Sequence, residues 1–185
     1  MIVIYKGRIN LTDLDYYADL LKQKDTKAFE YIYQQTKYSV FAIIIAIVKD
    51  KNLAEDVMQD TYIKTLSYIN FYDKSKSFKN WILTIARNAA IDSYRKRKNY
   101  VLIDTNEQEF MLPTKNDTNY ERLLAKQILK LLNDDEREIV MLHLVSDLKF
   151  KDVAEVLNKP LGTVITTYTR AINRIKKMKE YNVNE

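Results

Sequence analysis

The chain has 185 residues, of which 46% are hydrophobic and 30% charged, and its formal net charge is +5. These proportions are typical of a folded protein and exclude a chain that is disordered throughout. The absence of cysteine excludes disulfides, thiol catalysis and cysteine-bound zinc, and the single His143 leaves little for histidine-based chemistry. We therefore expect no cofactor and no metal.

Residues that break helices are rare, with two glycines and two prolines in the whole chain. A sheet-rich fold needs many tight turns, so this scarcity predicts a chain that is nearly all helix. The most apolar run, residues 38–48, has 11 residues, whereas a membrane span needs roughly 20. We interpret this run as a buried helix. Because the N-terminus also lacks a secretory signal, we expect a cytoplasmic protein without stable membrane insertion.

The first part of the chain is predicted to be a bundle of about four helices, because its apolar residues recur with a helical period. The helices are expected at residues 17–24, 28–50, 53–68 and 78–97. In the fourth helix, Trp81 stands at helical spacing with Ile82 and Ile85. We therefore interpret Trp81 as a core residue. These helices form the first block.

A polar segment follows the first block. Residues 101–119, "VLIDTNEQEFMLPTKNDTN", lose the helical period, contain Pro113 and are predominantly acidic. Such a composition is typical of a linker. We predict two domains, residues 1–98 and 120–185, joined by a flexible linker at residues 99–119.

The second block is predicted to contain helices at residues 120–132, 134–144 and 149–157, followed by a last helix. Asn158 tolerates the left-handed conformation that ends many helices, and Pro160 prevents the helix from resuming. The last helix is predicted to begin with Gly162 or Thr163 as its N-cap, and we attribute the glycine and the proline to a sharp turn. Two such helices, the second with a polar and basic outer face, form a helix-turn-helix that can enter a DNA major groove.

Positive charge is concentrated in two segments. Residues 78–98 hold six basic residues and one acid, and residues 159–179 hold six basic residues and no acid. Together these segments carry +11, while the whole chain carries +5, so the remainder of the chain is at −6. This separation indicates two nucleic-acid contacts and acidic surfaces that are free for other partners.

Longer stretches resemble a known family. Residues 53–66, "LAEDVMQDTYIKTL", and residues 78–97, "FKNWILTIARNAAIDSYRKR", resemble region 2 of bacterial sigma factors of the extracytoplasmic-function (ECF) group. Residues 132–177 resemble region 4 of the same group, through "GTV" and the "RA" that follows it. The resemblance implies an all-α fold of two small helical domains, a region 2 bundle and a region 4 helix-turn-helix. It also implies an alternative sigma factor without enzymatic activity of its own. Its implied partners are core RNA polymerase, promoter DNA and an anti-sigma factor.

The resemblance assigns residues to three surfaces. The acidic docking face, expected to bind the polymerase, consists of Glu55, Asp56, Gln59 and Asp60. The −10 surface, expected to hold melted promoter DNA by stacking, polar contacts and basic residues, consists of Asn70, Tyr72, Lys74, Asn80, Arg87, Asn88 and Arg95. The −35 surface, on the second helix of the helix-turn-helix, consists of Thr163, Ile165, Thr166, Thr167, Thr169, Arg170, Arg174 and Lys177.

The −35 surface departs from the family pattern. The family often carries a basic residue, Ser and then Arg after "GTV", whereas this chain has Ile165, Thr166 and Thr167. These side chains can contact thymine methyl groups, but they cannot make the bidentate guanine contact of Arg. The departure bears on which promoter is recognised and not on the binding mode.

Two other function classes stay open on the sequence. A stand-alone helix-turn-helix regulator would bind DNA with the second block, but it leaves the motifs of the first block unexplained. A small helical nuclease would need a cluster of metal-binding carboxylates. Asp56 and Asp60 are one helical turn apart, but no third convergent carboxylate is evident.

Overall fold

The structure of the protein is a computed structural model that describes residues 11–100 and 129–183, and within them the side chains of residues 13–97 and 129–178. The regular elements of these parts are all helices. The first block contains α1 (Leu11–Lys22), α2 (Thr26–Val48), α3 (Lys51–Tyr68) and α4 (Phe78–Tyr100), and the second contains α5 (Asp134–Val140), α6 (Phe150–Leu157) and α7 (Leu161–Val183).

The all-α prediction is confirmed, and the four helices expected in the first block are present with somewhat different ends. Residues 99 and 100, assigned above to the linker, belong to α4. The rest of the predicted linker, the first ten residues and residues 120–128 of the next predicted helix lie outside the described residues.

Two aspartates define where α2 and α3 begin. The Asp25 carboxylate accepts hydrogen bonds from the backbone N–H groups of Lys27 and Ala28, and the Asp50 carboxylate accepts one from that of Leu53. Both satisfy N–H groups that have no partner within the helix. Between them, Lys49 ends α2 in the left-handed conformation with φ 59°, so two residues suffice to reverse the chain.

Helix α2 lies at the centre of the molecule. Its residues 39–46 are all buried, as its apolar sequence predicts. The other three helices of the first block contact α2, and so do α5 and the turn that follows α5. Buried hydrophobic side chains of both blocks consequently form one contiguous cluster around α2.

The predicted helix at residues 134–144 is split in two. Helix α5 begins with a capping box, in which the side chains of Asn133 and Glu136 bind each other's backbone N–H groups. After α5 the chain widens into a π-helical turn, Met141–Val145. In this turn the Nδ1–H group of His143 donates a 2.7 Å hydrogen bond to the Leu148 carbonyl. This contact gives His143 a structural role, because it joins the turn to the segment that precedes α6.

The turn between α6 and α7 confirms one expectation and corrects another. Asn158 adopts the left-handed conformation with φ 51°, as predicted. Helix α7, however, begins at Leu161 directly after Pro160, so neither Gly162 nor Thr163 is its N-cap. Gly162 has no positive φ, and a Cβ atom there would meet no atom within 4 Å. The idea that the sharp turn needs this glycine was therefore wrong, because Asn158 and Pro160 make the turn.

Candidate nucleic-acid interface

Helix α7 presents the predicted −35 surface to solvent. Val164 and Ala171 are fully buried on one face of the helix, and Tyr168 packs edge-to-face on His143 and Phe150. The opposite face holds the predicted contact residues. Those that are exposed are Thr163, Ile165, Thr166, Thr169, Arg170, Arg174 and Lys177, while Thr167 is half-buried. The packing of α7 therefore leaves one continuous polar face free to enter a groove.

Two threonines of this face use their hydroxyl protons in hydrogen bonds within α7. Thr166 Oγ1 donates to the Gly162 carbonyl at 2.8 Å, and Thr169 Oγ1 donates to the Ile165 carbonyl at 2.9 Å. A hydroxyl has a single proton, so each oxygen can only accept hydrogen bonds from outside the helix. In a major groove it can pair with the amino groups of adenine or cytosine.

Arg174 binds the protein itself. Its Nη1 atom donates to Glu136 Oε2 at 2.7 Å and to the Leu131 carbonyl at 3.1 Å. The Glu136 side chain is fully buried, whereas that of Arg174 is 42% exposed. Arg174 therefore neutralises a buried carboxylate at the base of α5, in addition to its place on the predicted DNA-binding face.

The predicted −10 residues are divided between solvent and the interior. Asn70, Lys74, Asn88 and Arg95 are exposed. Lys74 Nζ forms an ion pair with Asp19 of α1. The remaining three, Tyr72, Asn80 and Arg87, are engaged within the protein.

Tyr72 is buried, while its neighbour Phe71 is exposed. The side chain of Tyr72 is 3% exposed, and its hydroxyl shares its single proton between two acceptors, Asp15 Oδ1 at 2.9 Å and the Lys76 carbonyl at 2.6 Å. Burial and the Asp15 carboxylate raise the pKa of this hydroxyl. Phe71, at the end of a 3-10 turn, is 79% exposed. Sequence reasoning missed Phe71, because two adjacent aromatics give no signal of which one points outwards.

Tyr72 also packs against Trp81 and Phe78, with ring centroids 5.4 and 5.2 Å away. Trp81 is partly buried against the hydrophobic core, in agreement with its interpretation as a core residue. Asp15 Oδ1 further accepts a 2.8 Å hydrogen bond from the Phe78 backbone N–H at the start of α4. One carboxylate of α1 thus fixes both the loop and the helix of the predicted −10 surface.

Asn80 and Arg87 of α4 contact the second block. Asn80 Nδ2 donates to Asp152 Oδ1 at 3.1 Å and to Glu155 Oε2 at 3.0 Å, and Arg87 Nε donates to Glu138 Oε2 at 2.6 Å. In this conformation both side chains are engaged by carboxylates of the second block.

The acidic docking face lies on the solvent side of α3. All four of its residues are exposed, and among the described side chains only Glu55 has a cation nearby, Lys51 at 3.9 Å. Ile63, one turn after the face ends, is 61% exposed. Because α3 buries Ala54, Val57 and Thr61 on its other side, the outer side is a mixed acidic and apolar strip available for protein contact.

Within the described ranges 11–100 and 129–183, no helix is long and apolar enough to cross a membrane. The same residues contain no group of three or more His, Asp or Glu side chains arranged to hold a metal ion. The third convergent carboxylate that a metal-dependent nuclease would need is thus not found in this part of the chain.

Two sequence models of known domain families match the chain. The model described as Sigma-70 region 2 matches residues 32–100, and the model described as Sigma-70, region 4 matches residues 122–175. The first match contains the acidic docking face and the −10 surface, and the second contains all of the −35 surface except Lys177.

Several proteins that are similar to this chain are named as sigma factors. The ECF RNA polymerase sigma factor SigM of Bacillus subtilis (strain 168) is 30% identical over 158 residues, which cover 83% of this chain and 96% of that protein. Among solved structures, the sigma factor RpoE in complex with the anti-sigma factor NepR from Bartonella quintana has a TM-score of 0.70 at 24% identity, covering 84% and 98% of the two chains. CnrH in complex with the cytosolic domain of CnrY has a TM-score of 0.69 at 17% identity, covering 90% and 97%. At these identities the structural matches establish a shared fold.

Proposed function

This chain belongs to the ECF sigma factors, which are alternative sigma factors of bacterial RNA polymerase, and we propose that its three surfaces divide the work of promoter-specific initiation. The observation that carries the proposal is the free outer face of α7 on a helix-turn-helix, in the part of the chain that matches region 4. The factor has no chemistry of its own in this proposal. It acts in the cytoplasm with core polymerase.

The acidic docking face is proposed to bind the polymerase. Its carboxylates lie on a solvated surface where they cost the fold little, and the adjacent exposed Ile63 supplies apolar area that a protein partner would bury. The resemblance to ECF sigma factors implies that the partner is the pair of clamp helices of the largest polymerase subunit. Complementary charge on the polymerase would speed the encounter and fix the orientation.

The outer face of α7 is proposed to read the −35 element. Arg170 and Lys177 supply attraction to the phosphates, which is independent of sequence. Thr166 and Thr169 supply selectivity, because their acceptor-only hydroxyls favour the amino groups of adenine and cytosine and their methyl groups favour thymine. The bases expected at these contacts are therefore adenine, cytosine or thymine rather than guanine.

The exposed members of the −10 surface are proposed to hold the melted −10 element, with one addition. Phe71 takes the stacking role that the sequence suggested for Tyr72, since Phe71 is 79% exposed beside Asn70 whereas Tyr72 is buried. Tyr72 instead positions the loop through its bonds to Asp15 and the Lys76 carbonyl. Asn88 and Arg95 extend the surface along α4.

An anti-sigma factor is proposed to control this chain. Both structural matches given above were solved with a second protein, and one of these proteins is named as an anti-sigma factor. The partner is expected to cover one or more of the three surfaces. Co-purification from the native cell would identify it.

The proposed function is tested by adding the purified chain to core RNA polymerase on promoter DNA and measuring promoter-dependent transcripts. A sigma factor gives initiation that depends on both proteins. A stand-alone helix-turn-helix regulator binds DNA but neither associates with core polymerase nor confers promoter-dependent initiation on it. The latter result would reject the proposal.

A further inference from the structure

The first turn of α7 stands clear of the rest of the protein. Leu161, Gly162 and Thr163 are all exposed, and a Cβ atom at Gly162 would meet no atom within 4 Å. Val164, the next residue, is fully buried. The turn therefore contacts the protein on one side only and leaves its other sides open to another molecule.

Two of the open side chains are apolar. Leu161 is 45% exposed and Ile165, one helical turn later, is 41% exposed, so both lie on the same flank of α7. Neither residue belongs to the hydrophobic cluster that forms the core of the described residues. No residue of the first two turns, 161–168, carries a charge. We call Leu161 and Ile165 the apolar flank of α7.

The basic residues of α7 lie on the other flank. At 3.6 residues per turn, and with Val164 and Ala171 directed at the protein, Thr166 and Thr169 point away from it. The basic residues lie to one side of these threonines, and the apolar flank lies to the other. These basic residues are Arg170, Arg174 and Lys177. The outer face of α7 is thus asymmetric, with cations along one edge and hydrocarbon along the other.

A DNA major groove can match both edges. Cations along one edge attract the phosphates of one strand, which places the opposite edge over the bases. The apolar group that base edges present there is the C5 methyl group of thymine. Burying that methyl group against Leu161 or Ile165 removes hydrocarbon of both partners from water. Cytosine at the same place would instead bring its amino group beneath hydrocarbon, where the amino group loses its hydrogen bond to water.

We propose that Leu161 is a specificity-determining residue for the −35 element, and that Leu161 and Ile165 read thymine by burying its methyl group. Leu161 is the first residue of α7, and the N-terminal residues of a recognition helix are those that reach base edges. Ile165 stands where the family often carries a basic residue. The apolar flank thus gives this chain a preference for thymine in place of a contact with guanine. The inference rests on the proposed assignment of α7 to the −35 element.

The test removes one methyl group at a time from the DNA. The probe is a promoter duplex that the wild-type chain, bound to core polymerase, selects from a random-sequence library. Each thymine of its −35 element is replaced in turn by deoxyuridine, which lacks only the methyl group. Fluorescence anisotropy then gives the affinity of the polymerase complex for each labelled duplex.

Three variants are compared with the wild type. Leu161→Ala and Ile165→Ala truncate the apolar flank at exposed positions of a helix, where alanine retains the fold. Leu131→Ala is the matched control, because Leu131 is 38% exposed and lies in the second block outside α7. Tm and affinity for core polymerase are measured for each variant, which separates a folding or docking defect from the loss of a base contact.

For the wild type we expect deoxyuridine at one or more −35 positions to weaken binding about fourfold, the effect of leaving one methyl group in water. L131A should show the same profile. L161A should bind the thymine duplex about fivefold more weakly than L131A. It should also lose the response to deoxyuridine at one sensitive position, because the methyl group there no longer has a partner to be buried against. I165A should lose the response at a neighbouring position.

Equal affinity of the wild type for the thymine duplex and all deoxyuridine duplexes would overturn the inference, because no methyl group would then be buried. A deoxyuridine profile of L161A that matches that of L131A would overturn it as well, since the methyl groups would then contact other side chains. Weaker binding of L161A to core polymerase with that unchanged profile would identify the apolar flank as a protein contact instead. Failure of the proposed function is seen separately, because the wild-type chain with core polymerase would then select no promoter duplex.

Discussion

Replacing Arg174 by Gln is expected to destabilise the second block, although the residue belongs to the predicted DNA-binding face. The substitution removes the charge that neutralises Glu136, whose side chain is fully buried and whose second oxygen has no partner among the described residues. Losing one partner of a buried ion pair costs about 3–5 kcal/mol. Because the Arg174 side chain is 42% exposed, solvent screens the pair, and we expect about 2 kcal/mol.

The assay is thermal unfolding followed by circular dichroism. For a chain of this size, about 2 kcal/mol corresponds to a decrease in Tm of roughly 4–8 °C. Arg170→Gln is the matched control, since it makes the same change one turn earlier on the exposed side of α7. We expect R170Q to leave Tm within about 2 °C of the wild type, as surface substitutions usually do, while weakening DNA binding.

The two variants separate an anchoring role from a DNA contact. If R174Q melts at the same temperature as R170Q and both lose DNA affinity equally, the ion pair with Glu136 contributes nothing to stability and the reasoning is refuted. A second check is Glu136→Gln, which removes the buried charge and should make the loss of Arg174 less costly in the double variant R174Q/E136Q.

Three further substitutions test the other surfaces. Reversing charge with D56K/D60K should weaken association with core polymerase in a pull-down while leaving Tm unchanged, and a folded double variant of normal affinity would reject the acidic docking face. Phe71→Ala should slow promoter opening by the loss of about 1–3 kcal/mol of base stacking, measured by permanganate reactivity of melted thymines, whereas a Tyr72→Phe control should lower stability instead. Lys177→Gln should weaken binding to all DNA sequences and reduce the slope of log affinity against log salt by about one; a sequence-dependent loss would contradict the assignment to a phosphate.

The sequence predicts best those features that depend on neighbouring residues. The helix end at Asn158 follows from the tolerance of Asn for the left-handed conformation, and it is observed with φ 51°. Gly162 was over-interpreted, because a glycine beside a proline suggests a turn even when, as here, it lies in the first turn of a helix. The local sequence is compatible with a glycine in the interhelical turn and with a glycine in the first turn of α7. Only the observed backbone conformation distinguishes the two.

Features that depend on distant residues were not predictable. Tyr72 points inwards because Asp15, 57 residues earlier, accepts its hydroxyl proton. Arg174 is an anchor because Glu136 lies under it, and a basic residue on an amphipathic helix looks the same whether it faces phosphate or a buried carboxylate. These pairings become visible only once the helices have packed, so sequence reasoning assigned each residue by type alone.

The docking of the two blocks, in contrast, could have been predicted from one feature of the sequence. Residues 38–48 are apolar on every face of α2 rather than on one stripe, and a helix that is apolar all round must be covered all round. Three neighbouring helices leave part of a central helix uncovered, so this run needs a further element, which α5 and the turn Met141–Val145 supply. The same apolar excess that excludes a membrane span by its length therefore requires the second block, and in closing over α2 that block brings Glu138 to Arg87.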